Sequence, residues 1–260
     1  MFLDKLCKSN PNLIQTAVHM HQQKQIMPDT YVADVDQFIA NAKAILQKAN
    51  EQNIELYYML KQIGRNPYLA TELEKIGYKG AVVVDFKEAE VMMKNHLHIA
   101  HAGHLVQIPS MMINQLVEYG CDYITVYSYE KLVEINEAAK KVGISQKICI
   151  RVIGENDRIY SGQTAGFYLN QLEELVHKAK KLTHIEIAGV DNFPCFLYDE
   201  ITKKIEAQEN LYTVLKAKNL LEGLGCHIQN VNAPSATCVH TLELMKQYPE
   251  ITSAEPGHGL

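Results

Sequence analysis

Lys61 is the residue in this sequence whose type and position most directly indicate chemistry. It follows an apolar run, residues 54–60, and precedes a loop that contains a glycine and a proline. Such a run predicts a buried strand, on which Lys61 would share one face with Tyr57 and Met59. A lysine on the inner face of a buried strand must reach solvent, pair with an anion, lose its charge or react covalently. Two interpretations stay open: a lysine that reaches solvent at a strand end, and a nucleophilic amine.

Two segments near the end of the sequence have the residue types that bind an anion. In residues 232–237 we expect Ser235 to cap a helix, so that backbone N–H groups and the positive end of the helix dipole face a ligand. In residues 254–259 two glycines allow the backbone to approach a ligand closely. Either segment alone is typical of an ordinary turn. Together with Lys61 they suggest pyridoxal phosphate, and a Schiff-base aldolase that binds a phosphorylated substrate is the alternative.

Arginine is scarce in this sequence, and two arginines lie where they could contact a ligand. Arg65 lies four residues after Lys61, and Arg151 lies inside the apolar run KICIRVI. On a strand, Arg151 would share one face with Cys149 and Ile153. A guanidinium in so apolar a strand should contact an anion or a ligand, and a structural ion pair is the alternative.

Four histidines, His96, His98, His101 and His104, raise the question of a metal site. On a regular strand three of them share one face, and His101 lies on the other. No carboxylate or cysteine is interleaved with them at the spacing of metal ligands. We therefore predict no metal site here and expect His104 to line a cofactor pocket.

The elements that must position these residues follow a regular alternation. Eight strand candidates, the first at residues 30–35 and the second at 54–60, alternate with helical patterns at a spacing of roughly 25 residues. This pattern predicts an α/β fold with a parallel sheet, and its eight repeats favour a (β/α)8 TIM barrel over a doubly wound open sheet. In such a barrel, functional residues lie at the carboxyl ends of the strands. Lys61 would follow the second strand and Ser235 the eighth.

Composition narrows the class of protein. The net charge of −5 argues against nucleic acid or an anionic membrane as the main partner. The six cysteines include no CxxC pair, which is typical of reduced thiols in the cytoplasm. No long apolar leader or spanning run is evident. We expect a cytoplasmic protein that acts on a small molecule, with a helical extension at residues 1–29 and a barrel domain at residues 30–260.

The motifs in this sequence resemble the barrel domain of fold-type III pyridoxal-phosphate enzymes, the alanine racemase and ornithine/diaminopimelate decarboxylase superfamily. The chain is similar in particular to the uncharacterised YhfX-like group of amino-acid racemases. The resemblance covers residues 30–260 and rests on MLKQIGRNP, GHLVQIP, GVDNFPC and AEPGHGL. Two positions depart from the superfamily pattern. Arg65 stands where alanine racemases have a phosphate-binding tyrosine, and His258 stands where the decarboxylases have arginine.

The resemblance implies pyridoxal 5′-phosphate as cofactor and an amino acid as substrate. It makes Lys61 the Schiff-base lysine and proton carrier, and it places Glu255 at the pyridine nitrogen, where alanine racemases use arginine. A racemase is the activity we expect, with a decarboxylase or a non-catalytic cofactor-homeostasis barrel as alternatives. The implied cofactor-binding residues are Lys61, Arg65, His104, Arg151, Asn232, Ser235, Ala236, Thr237, Glu255, Gly257 and His258.

The resemblance also raises a question about assembly. Superfamily members continue into a C-terminal β-domain, which completes the site of the partner subunit in a dimer. That domain is absent from this chain, which ends at Leu260. We therefore expect a homodimer for a full-length form.

Overall fold

The structure, a computed structural model, describes residues 2–260 and divides into two compact units, residues 1–41 and residues 42–260. Within residues 2–260, no helix combines the length and the apolar character that a bilayer span requires. The helices are α1 (Phe2–Ser9), α2 (Pro11–Gln22), α3 (Val35–Asn50), α4 (Pro67–Ile76), α5 (Phe86–Lys94), α6 (Ser110–Tyr119), α7 (Tyr129–Val142), α8 (Leu172–Ala179), α9 (Glu209–Gly223) and α10 (Val239–Met245).

The first unit is helical, and the barrel strand predicted at residues 30–35 is wrong. No regular structure is present over residues 30–34, and α3 begins at Val35. Asp34 explains the difference, because its side-chain Oδ1 accepts a hydrogen bond of 3.0 Å from the Gln37 N–H. This contact is typical of a residue that starts a helix, and it competes with an extended conformation.

The second unit is a closed barrel of parallel strands. Its strands are β1 (Glu55–Tyr58), β2 (Gly80–Val83), β3 (Ile99–Ala102), β4 (Cys121–Val126), β5 (Gln146–Ile153), β6 (Phe167–Tyr168), β7 (Ile185–Asp191), β8 (Phe196–Asp199), β9 (Lys204–Ala207), β10 (Asn230–Asn232) and β11 (Ser253–Ala254). The barrel runs in the order β1, β2, β3, β4, β5, β7, β10 and β11, and it closes because β11 pairs with β1. β6 adds to β5, and β8 and β9 form a separate antiparallel hairpin. The predicted (β/α)8 TIM barrel is confirmed.

The order of the strands differs from the prediction by one place. The last barrel strand is β11, which lies at the start of a segment predicted to be an anion-binding loop. Lys61 therefore follows the first barrel strand instead of the second, and Ser235 follows the seventh instead of the eighth. Both residues still lie at the carboxyl ends of their strands.

The loop that carries Lys61 is fixed by the start of the next helix. Asn66 caps α4, because its side-chain oxygen accepts hydrogen bonds from the N–H groups of Tyr68 at 2.9 Å and Leu69 at 3.3 Å. Pro67 occupies the first helical position, where its missing N–H is not needed. The chain therefore turns from β1 into α4 within a few residues.

The interior of the barrel is apolar on one side and polar on the other. The side chain of Tyr57 extends from β1 into the interior. Its hydroxyl accepts a hydrogen bond of 3.2 Å from Asn230 Nδ2 on β10. An apolar cluster on the side of the first three barrel strands consists of Tyr57, Met59, Val82, Val84 and Ala100.

Candidate functional site

Buried polar side chains converge at the carboxyl ends of the barrel strands. They come from β3, β4, β7, β10 and the segment after β11, so five different parts of the barrel contribute. None is more than 4% exposed, which is uncommon for polar groups of this kind. The residues are His101, Thr125, Asp191, Asn232 and Glu255.

His101 is the centre of this network. Its Nδ1 lies 3.2 Å from Glu255 Oε1, and its Nε2 lies 2.6 Å from the Thr125 hydroxyl. The Thr125 hydroxyl donates to Asp191 Oδ2, and Asn232 Nδ2 donates to Glu255 Oε1. Because the Thr125 proton is given to Asp191, both ring nitrogens of His101 must act as donors, which requires the charged imidazolium.

The electrostatics agree with this assignment. Burial alone would lower the pKa of His101, but its contacts with Asp191 and Glu255 outweigh burial and raise the pKa well above its ordinary value. Burial raises the pKa of Asp191, yet His101 and His104 lower it below its usual range. The pKa of Glu255 is also lowered, because the charges of His104 and His101 outweigh burial. The two carboxyl groups are therefore ionised.

His104 stands beside this network without a hydrogen bond. Its Nδ1 is 3.7 Å from Asp191 Oδ2 and its Nε2 is 3.7 Å from Glu255 Oε2. Both nitrogens are buried and have no hydrogen-bond partner within residues 2–260. The ring centroids of His101 and His104 are 5.4 Å apart. His104 is thus held between two carboxylates at distances longer than those of hydrogen bonds.

Sequence reasoning placed His101 on the wrong face, and two backbone features explain the error. Ile99 pairs with Ala81 but His101 pairs with Val82, so β3 contains a bulge. Gly103 then adopts a left-handed conformation, with φ of +80°, which ends the alternation of the strand. The His104 ring is therefore buried close to the His101 ring. The predicted common face of three histidines is therefore wrong.

His98, in contrast, is partly exposed. Its Nε2 lies 2.7 Å from Asp122 Oδ2, next to the amino end of β4. The hydrogen bond to Asp122 raises the pKa of His98. This pair lies at the end of the barrel opposite to the network and is typical of a structural ion pair.

Lys61 begins a short 3-10 turn, Lys61–Ile63, directly after β1. Its amine makes no hydrogen bond or ion pair with any other residue of the described chain. The Met59 N–H donates to the Pro256 carbonyl at 3.1 Å, which places this turn next to the segment after β11. Gly257 allows a close approach there, since a Cβ on it would come within 2.6 Å of the Gln62 Nε2. The turn that carries Lys61 therefore has the 255–259 segment as its neighbour.

Arg65 has a partner that the sequence did not indicate. One of its guanidinium nitrogens lies 2.8 Å from Asp85 Oδ2, and Asp85 also caps α5. The Arg65 Nε is buried and has no hydrogen-bond partner. The predicted contact of Arg65 with a phosphate remains a prediction, and most of its guanidinium would have to stay with Asp85.

The segment after β10 does not have the predicted helix cap. α10 begins at Val239 and its N-cap position is Cys238, so the prediction that Ser235 caps this helix is wrong. Ser235 and Ala236 instead have φ of 92° and 49°, a left-handed conformation that is rare outside glycine. Consecutive residues in such conformations turn their N–H groups toward a common point and bind anions.

Free backbone donors are concentrated in two segments, residues 235–238 and residues 257–259. Within residues 2–260, none of their N–H groups donates a hydrogen bond. The Thr237 hydroxyl is also buried without a partner. We call these two segments the donor loops. His258 belongs to them and is exposed, with its Nδ1 3.5 Å from Gln62 Nε2.

A cavity of about 270 Å³ lies beside the polar network. Its walls include His104, Tyr127, Arg151 and Gln163, the last from the loop after β5. Tyr127 is fixed in place because its hydroxyl donates to the carbonyl oxygens of Gly103 and His104, at 2.7 and 2.6 Å. The cavity volume lies just below the range of about 300–1,000 Å³ that is typical of small-molecule sites.

Arg151 is 2% exposed and lies in the wall of this cavity. One terminal nitrogen lies 3.5 Å from the Phe193 carbonyl, and the other has no hydrogen-bond partner. A structural ion pair, the alternative considered for this arginine, is not formed with any residue of the described chain. Its free nitrogen suits an anionic ligand group.

The residues at this end of the barrel fit pyridoxal phosphate. A buried polar atom without a partner costs about 1–3 kcal/mol, so a concentration of such atoms indicates a ligand. The donor loops suit a phosphate, Glu255 suits a pyridine nitrogen, and the free amine of Lys61 suits an aldehyde. The unpartnered buried atoms at this end are Gln62 Oε1, Arg65 Nε, both ring nitrogens of His104, Arg151 Nη1, Gln163 Oε1, Asp191 Oδ1, Asn232 Oδ1, Thr237 Oγ1 and Glu255 Oε2.

Known proteins with similar sequences point to one family. The sequence profile described as "Alanine racemase, N-terminal domain" matches residues 33–260. The chain is 44% identical over all 260 of its residues to the uncharacterized protein YhfX of Escherichia coli (strain K12). It spans 67% of the length of that protein.

Solved structures agree at the level of the fold. Diaminopimelate decarboxylase from Helicobacter pylori, complexed with L-lysine, is 17% identical with a TM-score of 0.72, over 93% of this chain and 66% of that one. D-threonine aldolase from Filomicrobium marinum is 16% identical with a TM-score of 0.63, over 88% of this chain and 61% of that one. The chain thus spans about two thirds of the length of these relatives. It belongs to the alanine racemase N-terminal domain family, and pyridoxal 5′-phosphate is its cofactor.

Proposed function

We propose that this protein acts at the Cα of an amino acid and that racemisation is its reaction. The observation that supports the proposal is that Lys61, which forms no hydrogen bond or ion pair within the described residues, is carried by a turn next to backbone donors without partners. The Met59–Pro256 hydrogen bond brings these two features to neighbouring strands. An amine beside an anion site is what a phosphorylated aldehyde requires.

Lys61 has two tasks in this proposal. Its Nζ binds the cofactor and, once the substrate amine has taken that place, removes the proton from Cα or returns it. When bound, the cofactor supplies an electron sink for the negative charge that develops at Cα. Because no side chain of the described residues pairs with Lys61 Nζ, its proton transfers do not require breaking an ion pair.

Glu255 is held ready for the pyridine nitrogen. His101 and Asn232 occupy its Oε1, while its Oε2 is buried without a hydrogen-bond partner. Its lowered pKa keeps it an acceptor for a pyridinium N–H. A carboxylate in this place strengthens the electron sink, and this setting makes decarboxylation the second candidate reaction.

The phosphate is assigned chiefly to the donor loops. Ser235, Ala236 and Thr237 would bind it from the first loop, and Gly257 and His258 from the second. Arg65 would contribute positive charge near the phosphate and could donate from its Nε, which has no partner. Its terminal nitrogen stays paired with Asp85. Two further residues line the cavity: Arg151 would bind the substrate carboxylate or the ring hydroxyl, and His104 would bound the ring.

The test starts with the cofactor and then turns to the reaction. Purified protein with added pyridoxal phosphate should absorb visible light, and borohydride should bleach this band and leave the cofactor attached to Lys61 in a peptide map. Lys61→Ala should lose the adduct, while Lys75→Ala, an exposed lysine paired with Glu72, should keep it. An adduct on other lysines alone, or none, would contradict the proposal.

Amino acids are then screened in deuterated water. A racemase should incorporate deuterium at Cα and form both enantiomers, a decarboxylase should release carbon dioxide, and a cofactor carrier should do neither. Lys61→Ala should abolish exchange, and exchange retained in that variant would reassign the base. Glu255→Ala should change the absorption spectrum and slow the exchange, and unchanged kinetics would remove its role.

We also propose the surroundings in which the protein works. The net charge of −5 and cysteines without CxxC pairs support a cytoplasmic protein. A homodimer is proposed for the full-length form, which light scattering would test. A monomer at all concentrations would contradict it.

A further inference from the structure

Three buried side chains beside the proposed cofactor site, one of them the His104 that would border the ring, bring ligand-type atoms close together. Nitrogen and oxygen atoms of His101, His104 and Asp191 all lie within 4.8 Å of one another. All three side chains are fully buried, and they come from β3, from the residue after the Gly103 turn and from the end of β7. We infer that they form a binding site for a divalent transition-metal ion, with Zn²⁺ as the best match.

The two distances to Asp191 suit a metal ion, which would take the place of the hydrogen bond between His101 Nε2 and the Thr125 hydroxyl. His101 Nε2 and His104 Nδ1 both face the same oxygen, Asp191 Oδ2, at 3.5 and 3.7 Å. Ligand atoms that bind zinc at about 2.0–2.1 Å in tetrahedral geometry are about 3.3 Å apart. A contraction of a few tenths of an ångström would bring both pairs to this separation. The ion would replace the Nε2 proton of His101, which leaves to solvent.

The second carboxylate lies where metal sites place one. Glu255 Oε1 is 3.2 Å from His101 Nδ1, and Glu255 Oε2 is 3.7 Å from His104 Nε2. In each ring the nitrogen that faces Glu255 is therefore the one that does not face Asp191. Metal-binding histidines almost always donate their other N–H to a carboxylate or carbonyl, which orients the ring. Glu255 Oε1 serves His101 in this way, while Glu255 Oε2, at 3.7 Å from His104, stays open for the pyridine nitrogen.

Unpartnered atoms of the same residues, which the cofactor proposal does not satisfy by a named contact, supply a second reason. Both nitrogens of His104 and the Asp191 Oδ1 are buried without hydrogen-bond partners. Buried polar atoms are nearly always satisfied, so the absence of a partner for this ring indicates a missing one. A divalent ion would satisfy His104 and offset the charges of the two buried carboxylates.

Two imidazoles and a carboxylate leave a coordination position open. Sites with three protein ligands of this kind usually bind water or substrate in that position and act on it as a Lewis acid. His104 also lines the 270 Å³ cavity, which gives an ion a route to the site. A substrate carboxylate or a water molecule is therefore the class of ligand that the ion would hold.

The experiment titrates chelator-treated protein with Co²⁺ and Zn²⁺ in the absence of pyridoxal phosphate. We expect one equivalent per chain, visible d–d absorption for Co²⁺, and its displacement by Zn²⁺. His104→Gln and Asp191→Asn should weaken binding more than 100-fold, because loss of a ligand exceeds the 10–100-fold typical of outer partners. Glu255→Gln should weaken it by that smaller factor of about 10–100.

Controls separate the metal site from other causes. His98→Gln removes a histidine that pairs with Asp122 at the other end of the barrel, and it should leave the titration unchanged. The His104 ring makes no hydrogen bond, so His104→Gln removes no side-chain hydrogen bond and carries the test if Asp191→Asn does not fold. Circular dichroism checks the fold of each variant.

The outcomes distinguish this site from the proposed function. The inference is overturned if the protein takes up no stoichiometric Co²⁺ or Zn²⁺, or if His104→Gln binds them as tightly as the parent. Lys61→Ala should bind the metal normally, because Lys61 is not a ligand. Failure of the titration would leave the cofactor adduct on Lys61 unaffected, and failure of the adduct would leave the titration unaffected.

Discussion

Asn210 offers a sharp test of how the loop over the cavity is held. This fully buried residue of α9 accepts a hydrogen bond of 3.0 Å from the Arg158 N–H and donates one of 3.1 Å to the Arg158 carbonyl. It also donates to Asn192 Oδ1 and to the Phe193 carbonyl, both at 3.2 Å. One side chain thus fastens the loop after β5 and the segment after β7 to the same helix.

The magnitude follows from these bonds. The amide nitrogen of Asn210 has two hydrogens for its three acceptors, so about three of these bonds form at once. Each contributes about 1 kcal/mol net, so Asn210→Ala should lower the free energy of unfolding by about 3 kcal/mol. The two bonds to Arg158 hold the loop, residues 154–166, and their loss weakens its attachment by about 2 kcal/mol. The fraction of molecules with this loop detached should therefore rise about 30-fold.

Limited trypsin digestion measures the detachment directly, because the side chain of Arg158 is exposed and lies within the loop. Under native conditions the rate of cleavage after Arg158 should rise about 30-fold in Asn210→Ala, in step with the open fraction. Asn114→Ala is the matched control, since Asn114 is an exposed residue of α6 that contacts only Lys141. Equal cleavage rates and equal urea midpoints in the two variants would refute the reasoning.

Three further changes test other parts of the structure. Glu88 is buried and burial raises its pKa, so the parent loses stability as the pH rises above the ordinary value of 4.5. In urea unfolding, Glu88→Gln should therefore gain on the parent as the pH rises from 4.5, and a difference that does not change with pH would contradict this. Ala236→Gly should raise the free energy of unfolding by about 0.5–1 kcal/mol by relieving its left-handed conformation, and lower stability would count against that strain. Asp85→Asn keeps the cap of α5 but loses the ion pair with Arg65, so it should lower the free energy of unfolding by less than about 1 kcal/mol. Asp85→Ala also loses the cap and should lower it by about 1 kcal/mol more. Equal thermal midpoints for the two variants would exclude the cap as the cause.

The sequence was informative where patterns are long. Alternating strands and helices predicted the barrel, and the apolar run before Lys61 placed that residue correctly at the carboxyl end of a strand. The segments 232–237 and 254–259 could be recognised from glycine, serine and proline alone. They lie at the ends of β10 and β11, and they contain the free N–H groups of the donor loops.

The last barrel strand, the position of His101 and the role of Asp191 could not be predicted from sequence patterns. They depend on very short elements or on contacts between residues that are distant in sequence. β11 has only two residues, too few for any periodicity, so the sequence did not predict it as a strand. The prediction reached eight barrel strands only by counting residues 30–35 as one of them. The bulge in β3 reverses the face of His101, and a bulge leaves no mark in an alternating pattern. Asp191 was not singled out, because its partners are distant in sequence.

β11 has a consequence for how the empty and loaded protein differ. It pairs with β1 through two residues and with β10 through one, so the wall of the barrel has its thinnest hydrogen-bonded seam there. Lys61, the first donor loop and the second donor loop emerge from the three strands that border this seam. A cofactor bound by Lys61 and by both donor loops would link these three strands and stabilise their pairing. Amide hydrogens of β1, β10 and β11 should therefore exchange with solvent more slowly when the cofactor is bound.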